Sequence, residues 1–232
     1  GVQPVRPIGS GEPMRTLYFY FDYVSNNAYL AWSQLQVLSG QYGIAVEPRP
    51  ILFAGLLNAH GNVGPAEIPA KRDWMLKNIL RKSALLDVPM SPPAHHPFNP
   101  LMALRASSMD MEGEARWRLI DGLFKAVWVE EQHISEPAVV DEIARRAGLD
   151  GNQVCEWAQS KEAASLLRQQ TDEAVSSGVF GIPSMIIDEE LFFGYDDFEF
   201  LELYLQGADP LNREVLAGWS QAQINPSSKR GN

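Results

Sequence analysis

The sequence predicts an α/β fold with a large all-helical insertion. Two observations carry this reading. The chain opens β-α-β between Thr16 and Leu52 and closes β-β-α between Ser184 and Leu205, and nearly everything from about 70 to 177 between them follows helical periodicity. Thr16 to Tyr23 is β-branched and aromatic with a single acid, Asp22, and reads as a strand buried on both faces of a mostly parallel sheet. Ala28, Ala31, Trp32, Leu35 and Leu38 then follow the i, i+3, i+4, i+7 spacing of one helix face, and Ser39-Gly40 supplies a stop. Ser25-Asn26-Asn27 falls at the joint. Locally Ser25 or Asn26 reads as a helix cap, but a helix N-terminus also draws an anion, a phosphate or a thiolate, because its first N–H groups lack intrahelical partners.

Ile44 to Leu52 is β-rich, and Pro48 and Pro50 assign it to an edge. Phe53 to Pro69 is punctuated by Gly, Asn and Pro and reads as a long structured loop, with Asn58, His60 and Asn62 able to meet a ligand. Lys71 to Leu86 places Trp74, Leu76, Ile79, Leu80 and Leu86 in helical register, with five basic residues on a side that reads as solvated. Lys71 falls in the first turn, where positive charge opposes the helix dipole and a nearby anion would offset it. Asp87 to Pro100 is proline-dense and cannot be helix. Helices are expected at about 100–111, 114–130, 136–147, 150–158 and 160–177. Ser184 to Asp188 and Leu191 to Phe193 form a hairpin through Glu189-Glu190, and Gly194-Tyr195-Asp196 leads into a last helix, Asp197 to Leu205. Beyond about Gly207 the chain reads as a polar tail.

The chain has 232 residues, 45% of them hydrophobic, and a formal net charge of −10. That charge argues against nucleic acid and against an anionic membrane surface as partners. No apolar run is long enough to span a bilayer. The first 13 residues lack the apolar core of a signal peptide and read as a flexible extension. A single cysteine, Cys155, forbids an internal disulfide, points to a cytoplasmic compartment, and reads as a structural thiol. The four histidines show no metal-ligand spacing, so no metal site is expected.

A βαβ half followed by a ββα half is the plan of a thioredoxin-like fold, in which a ligand sulfur sits at the N-terminus of the first helix opposite a proline. The matching pieces here are Ser25-Asn26-Asn27-Ala28 and Gly178-Val179-Phe180-Gly181-Ile182-Pro183. Thiol–disulfide exchange needs an attacking and a resolving thiol, and Ser-x-x-Ala offers neither, which excludes a disulfide oxidoreductase.

Four separated motifs carry a more specific resemblance: F-D-Y-V-S (21–25), the R-P-I…G-N…P-A-K run from Arg49 to Lys71, G-V-F-G-I-P (178–183) and F-F-G-Y-D (192–196). From about 15 to 206 the chain resembles the 2-hydroxychromene-2-carboxylate isomerases and kappa-class glutathione transferases, which have a DsbA-like fold. The resemblance implies a thioredoxin-like domain at 14–55 and 178–207, a helical insertion at 56–177 and a polar tail at 208–232. It implies glutathione as cofactor, with Ser25 beside its sulfur and Ile182 presenting its backbone ahead of a cis Pro183. Asn62, Lys71, Tyr195 and Asp196 would contact glutathione or line the substrate pocket, although Asp196 and Asp197 also read as helix caps. The implied activity is cis–trans isomerisation of a conjugated, aromatic-derived small molecule through reversible thiolate addition. A kappa-like transferase or a non-catalytic binding module are the alternatives. Dimers are common in such families, which makes a homodimer the assembly to test. Family members usually carry Ser-Pro-aromatic at the helix start, where this chain has Ser25-Asn26-Asn27; Tyr195 stands where a small or amide residue is usual.

Overall fold

The computed structural model describes residues 14–61 and 67–222. A four-stranded mixed sheet has the order β2-β1-β3-β4, with β1 at Thr16–Phe21, β2 at Ala45–Pro50, β3 at Ser184–Ile187 and β4 at Glu190–Phe193. Strands β1 and β2 pair in parallel, whereas β1–β3 and β3–β4 are antiparallel, so the sheet is not mostly parallel. Nor is β1 buried on both faces. Leu17, Phe19 and Phe21 are fully buried, while Thr16, Tyr18 and Tyr20 on the other face are only partly so. Strand β2 lies at an edge, where Pro48 and Pro50 cost no ladder donor.

Helix α1 spans Asn26–Tyr42 and runs through Gly40 to close on Gly43, whose φ of 61° lets its N–H reach the Ser39 carbonyl. The aromatic residues of β1, with Tyr23 just beyond it, build the core with Trp32 of α1 and Phe124. Phe19 and Phe21 stack at 5.3 Å, Tyr23 meets Phe124 at 4.8 Å, and Phe19 tilts over Trp32 at 6.0 Å. Each such ring, fully buried, contributes about 1.5–3 kcal/mol. Where a long loop was expected, Phe53–His60 forms helix α2. Its Leu56 packs with Ile51, Ala174, Val179 and Ile182 in a second, smaller cluster.

The insertion supplies α3 at Pro69–Leu86, α4 at Leu101–Ser107, α5 at Gly113–Trp128, α6 at Pro137–Arg146, α7 at Gly151–Ala158 and α8 at Lys161–Ser176. Within α3 only Ile79 of the expected apolar stripe is buried; Trp74, Leu76 and Leu80 are exposed. The closing hairpin turns through Asp188-Glu189 rather than Glu189-Glu190. Both turn residues have positive φ, 50° and 67°, as the two-residue turn between twisted strands demands. Arg15 and the Tyr204 hydroxyl hold the Asp188 carboxylate there. Helix α9 occupies Phe198–Leu205, and α10 at Arg213–Ala222 lies where a polar tail was expected. No helix among the described residues is long and apolar enough to cross a membrane.

Candidate functional site

The site is built where β1 ends. Asp22, 1% exposed, turns its carboxylate inward to accept from the Val24 N–H at 3.2 Å and the Phe53 N–H at 2.9 Å. It thereby ties the β1–α1 joint to the first turn of α2. Burial pushes its pKa up to about 7 against the pull of those N–H groups. The Asp22 carbonyl accepts from the Ser25 N–H at 3.2 Å, closing the turn that delivers Ser25. From the insertion side, Trp128 Nε1 donates to the Tyr23 carbonyl at 3.0 Å, and the Tyr23 hydroxyl lies 2.6 Å from Ser107 Oγ. The joint is therefore gripped by both the sheet domain and the helical one.

Ser25 is the N-cap of α1, in extended conformation, and its Oγ accepts from the Ala28 N–H at 3.1 Å. Capping uses an oxygen lone pair and leaves the hydroxyl proton without an acceptor among the described residues. A hydroxyl oriented this way can donate to an anion placed at the helix start, where the N-terminal N–H groups also favour negative charge.

The loop before β3 supplies the facing wall. Ile182-Pro183 is a cis peptide bond. The antiparallel register pairs Tyr20 with Ser184, so one residue on it sets Pro183 across from Phe21, at the end of β1. Ile182 is 8% exposed, and no described residue hydrogen-bonds its backbone N–H or carbonyl. Gly181 has no room for a side chain, since a Cβ there would lie 2.7 Å from the Phe193 ring. The Pro183 carbonyl accepts from the Gly194 N–H at 2.8 Å, which fastens the F-F-G-Y-D segment to the proline loop. Gly194 needs to be glycine, with φ at 78° and ψ at 165°.

Past Gly194 comes a 3₁₀ turn, Tyr195–Asp197, packed against α1. Its two acids divide the work. Asp197 is the structural one, accepting from the Phe193 N–H at 2.7 Å. Asp196 instead points outward and pairs at 2.9 Å with Lys82 of α3. The same ammonium donates to Asn27 Oδ1 at 3.3 Å and lies 5.7 Å from the centre of the Tyr195 ring.

Of the residues singled out in the sequence, Ser25, Ile182, Pro183, Tyr195 and Asp196 converge on the start of α1. Lys71 is exposed in the first turn of α3 and bonds to none of them. Asn62 lies outside the described residues. His60 Nε2 lies 3.3 Å from the Val179 carbonyl, bracing the proline loop. Lys82 was missed, having been assigned to a solvated basic face. Its signal was its spacing: it falls three residues after Ile79 and four before Leu86, on the apolar stripe. Cys155 is half-buried on α7, with Sγ 3.5 Å from the Pro137 carbonyl, and burial and Asp141 raise its pKa.

The start of α1 is thus ringed by a hydroxyl proton, helix N–H groups and an exposed carboxylate. Comparison with known proteins agrees with the fold and narrows the kinship. Residues 16–206 match the family model for the DSBA-like thioredoxin domain. A 2-hydroxychromene-2-carboxylate isomerase of Sphingobium xenophagum is 31% identical over 195 residues, covering 82% of this chain and 98% of that protein. Glutathione S-transferase kappa 1 of Rattus norvegicus is 28% identical over 212 residues, covering 85% and 93%. A solved structure of a 2-hydroxychromene-2-carboxylate isomerase superposes with a TM-score of 0.74 at 26% identity, covering 90% of this chain and all of that one.

Proposed function

Since the chain belongs to the DSBA-like family of thioredoxin domains that includes the 2-hydroxychromene-2-carboxylate isomerases and kappa-class glutathione transferases, we propose that it is a glutathione-dependent isomerase of a conjugated, aromatic-derived carboxylate. The observation that carries the proposal is the Ser25 hydroxyl, fixed by capping α1 yet retaining its proton. Glutathione, when bound, would supply a thiolate that adds reversibly to a conjugated double bond, leaving a single bond free to rotate before elimination restores the thiolate.

The chain's own residues do the rest. Ser25 donates to the sulfur and, with the N–H groups at the start of α1, favours its anionic form over a thiol of ordinary pKa about 8.5. Ser25 is not itself a nucleophile, since no described base lies within hydrogen-bond reach of its proton. Ile182 offers its backbone N–H and carbonyl to the cysteinyl unit, and Pro183 walls that position. Asp196 receives the α-ammonium, exchanging Lys82 for it in part, and Tyr195 lines the approach. Asn62 and Lys71 are the proposed partners of the remaining amide and carboxylate. Disulfide exchange is excluded, because the only thiol of the chain lies on α7.

The kappa transferase relative supports a second reading, in which the adduct is released instead of collapsing. One assay separates them. The protein is incubated with glutathione and a 2-hydroxychromene-2-carboxylate, and both compounds are followed. Substrate isomerised with glutathione undiminished supports the proposal. Glutathione consumed in proportion to substrate supports transfer, and no turnover together with no glutathione binding contradicts both.

A further inference from the structure

The outer face of the sheet carries a second cleft that the thiol site does not use. Tyr18 and Tyr20 project from β1 on the face opposite Phe19 and Phe21, and Arg49 stands beside them on β2, in register with Tyr20. The other wall is α8, which presents Gln170 and Glu173 at i and i+3, with Ser177 capping its C-terminal end. A helix sealed on a sheet would present apolar residues at such positions. Here α8 is sealed only on its neighbouring side, where Ala163, Leu167 and Ala174 are buried and Thr171 Oγ1 accepts from the Leu52 N–H at 3.1 Å. What remains is a cleft of about 330 Å³, within the range of small-molecule sites.

Tyr20 bonds to Ser177 across the cleft, but two other polar groups are complementary and unmatched. Arg49 Nε and Gln170 Oε1 are both buried, and neither has a hydrogen-bond partner among the described residues. One is a charged donor and the other a neutral acceptor. Burying such groups unpaired is costly, so they call for a ligand that brings an acceptor and a donor together. The Arg49 guanidinium lies 5.2 Å from the Tyr18 ring centre, and a guanidinium set against a ring can still pair with a carboxylate. Glu173, the one acid lining the cleft, disfavours a doubly charged phosphate.

We propose that this cleft is a second ligand site, distinct from the thiol site, for a small aromatic monocarboxylate carrying a hydroxyl or amino group. The carboxylate pairs with Arg49, the ring lies against Tyr18 and Tyr20, and the donor reaches Gln170 Oε1. Ser25 lies beyond the end of β1 at the start of α1, whereas the cleft lies against Tyr18, Tyr20 and α8.

Calorimetry with 4-hydroxybenzoate as the probe, on the full chain with and without saturating glutathione, tests this. The wild type is expected to bind the probe in the millimolar range or tighter, and glutathione to leave that affinity unchanged. Gln170→Leu and Tyr20→Ala should each weaken it about tenfold, the loss of roughly one hydrogen bond or one ring contact. The methyl ester of the probe should not bind. Arg49→Lys is a conservative second variant that should weaken binding comparably while preserving charge, with circular dichroism confirming the fold of each. Absence of heat in the wild type, competition by glutathione, equal binding of the ester, or unaltered affinity in folded Gln170→Leu and Arg49→Lys variants would each overturn the proposal.

Discussion

Lys82 Nζ lies 2.9 Å from an Asp196 carboxylate oxygen, joining α3 to the turn before α9 beside the N-terminus of α1. The lysine side chain is 13% exposed and the aspartate 74%, so the pair is screened on one side only. Through its hydrogen bond to Asn27, Lys82 touches both the helix start and the proposed ammonium acceptor. Lys82→Met is therefore expected to lower stability by about 1 kcal/mol. It should also weaken glutathione binding roughly five- to tenfold, since an anion at the start of α1 loses the cation bonded to Asn27 there. Chemical denaturation and calorimetry on the same variant check the two effects; unchanged affinity would remove Lys82 from the site.

Ser25 is assigned two roles that substitutions can separate. Ser25→Ala deletes the cap acceptor and should cost about 1 kcal/mol. Ser25→Asp restores an acceptor for the Ala28 N–H but places a negative charge where the thiolate would lie. It should keep wild-type stability to within about 0.5 kcal/mol while weakening glutathione binding more than about tenfold. If Ser25→Asp binds glutathione like the wild type, the serine is a cap alone.

The buried carboxyl of Asp22 makes stability depend on pH in a definite direction. Its folded pKa of about 7 stands above the ordinary 3.8, so between those values the folded chain keeps a proton that the unfolded chain has released. The contribution is present in full below about pH 4 and is lost as pH rises through about 7, worth about 4 kcal/mol across the window. Asp22→Asn cannot titrate, but its amide nitrogen cannot accept as a carboxyl oxygen does, so it loses one of the bonds from Val24 and Phe53 at every pH. The difference in unfolding free energy between variant and wild type should accordingly shift in the variant's favour between pH 4.5 and pH 8. Parallel stability curves would contradict the assignment.

Cys155 serves as a control on the chemistry. Its raised pKa and its position on α7 disqualify it as the attacking thiol. Cys155→Ala should leave isomerisation and glutathione binding unchanged in a steady-state assay.

The order of elements was legible in the sequence because the β-α-β and β-β-α segments and the insertion helices each announce themselves by period and cap. The details that escaped depend on partners distant in sequence. Phe53–His60 forms a helix whose first N–H is satisfied by the Asp22 carboxylate, across a gap of 31 residues. In the site, Ser25, Ile182-Pro183 and Tyr195-Asp196 could be located from local motifs. Lys82 could not be separated from its basic neighbours, since its distinction is to face Asn27 and Asp196, 55 and 114 residues away in sequence.

The central claim, that Ser25 and the start of α1 hold a thiolate, is tested most directly by titrating the ultraviolet thiolate absorbance of bound glutathione against pH. In the wild-type complex the midpoint should fall at least about one unit below the free thiol value of about 8.5, and Ser25→Ala should move it back toward that value. A complex that titrates like free glutathione, or a midpoint indifferent to Ser25, would contradict the account.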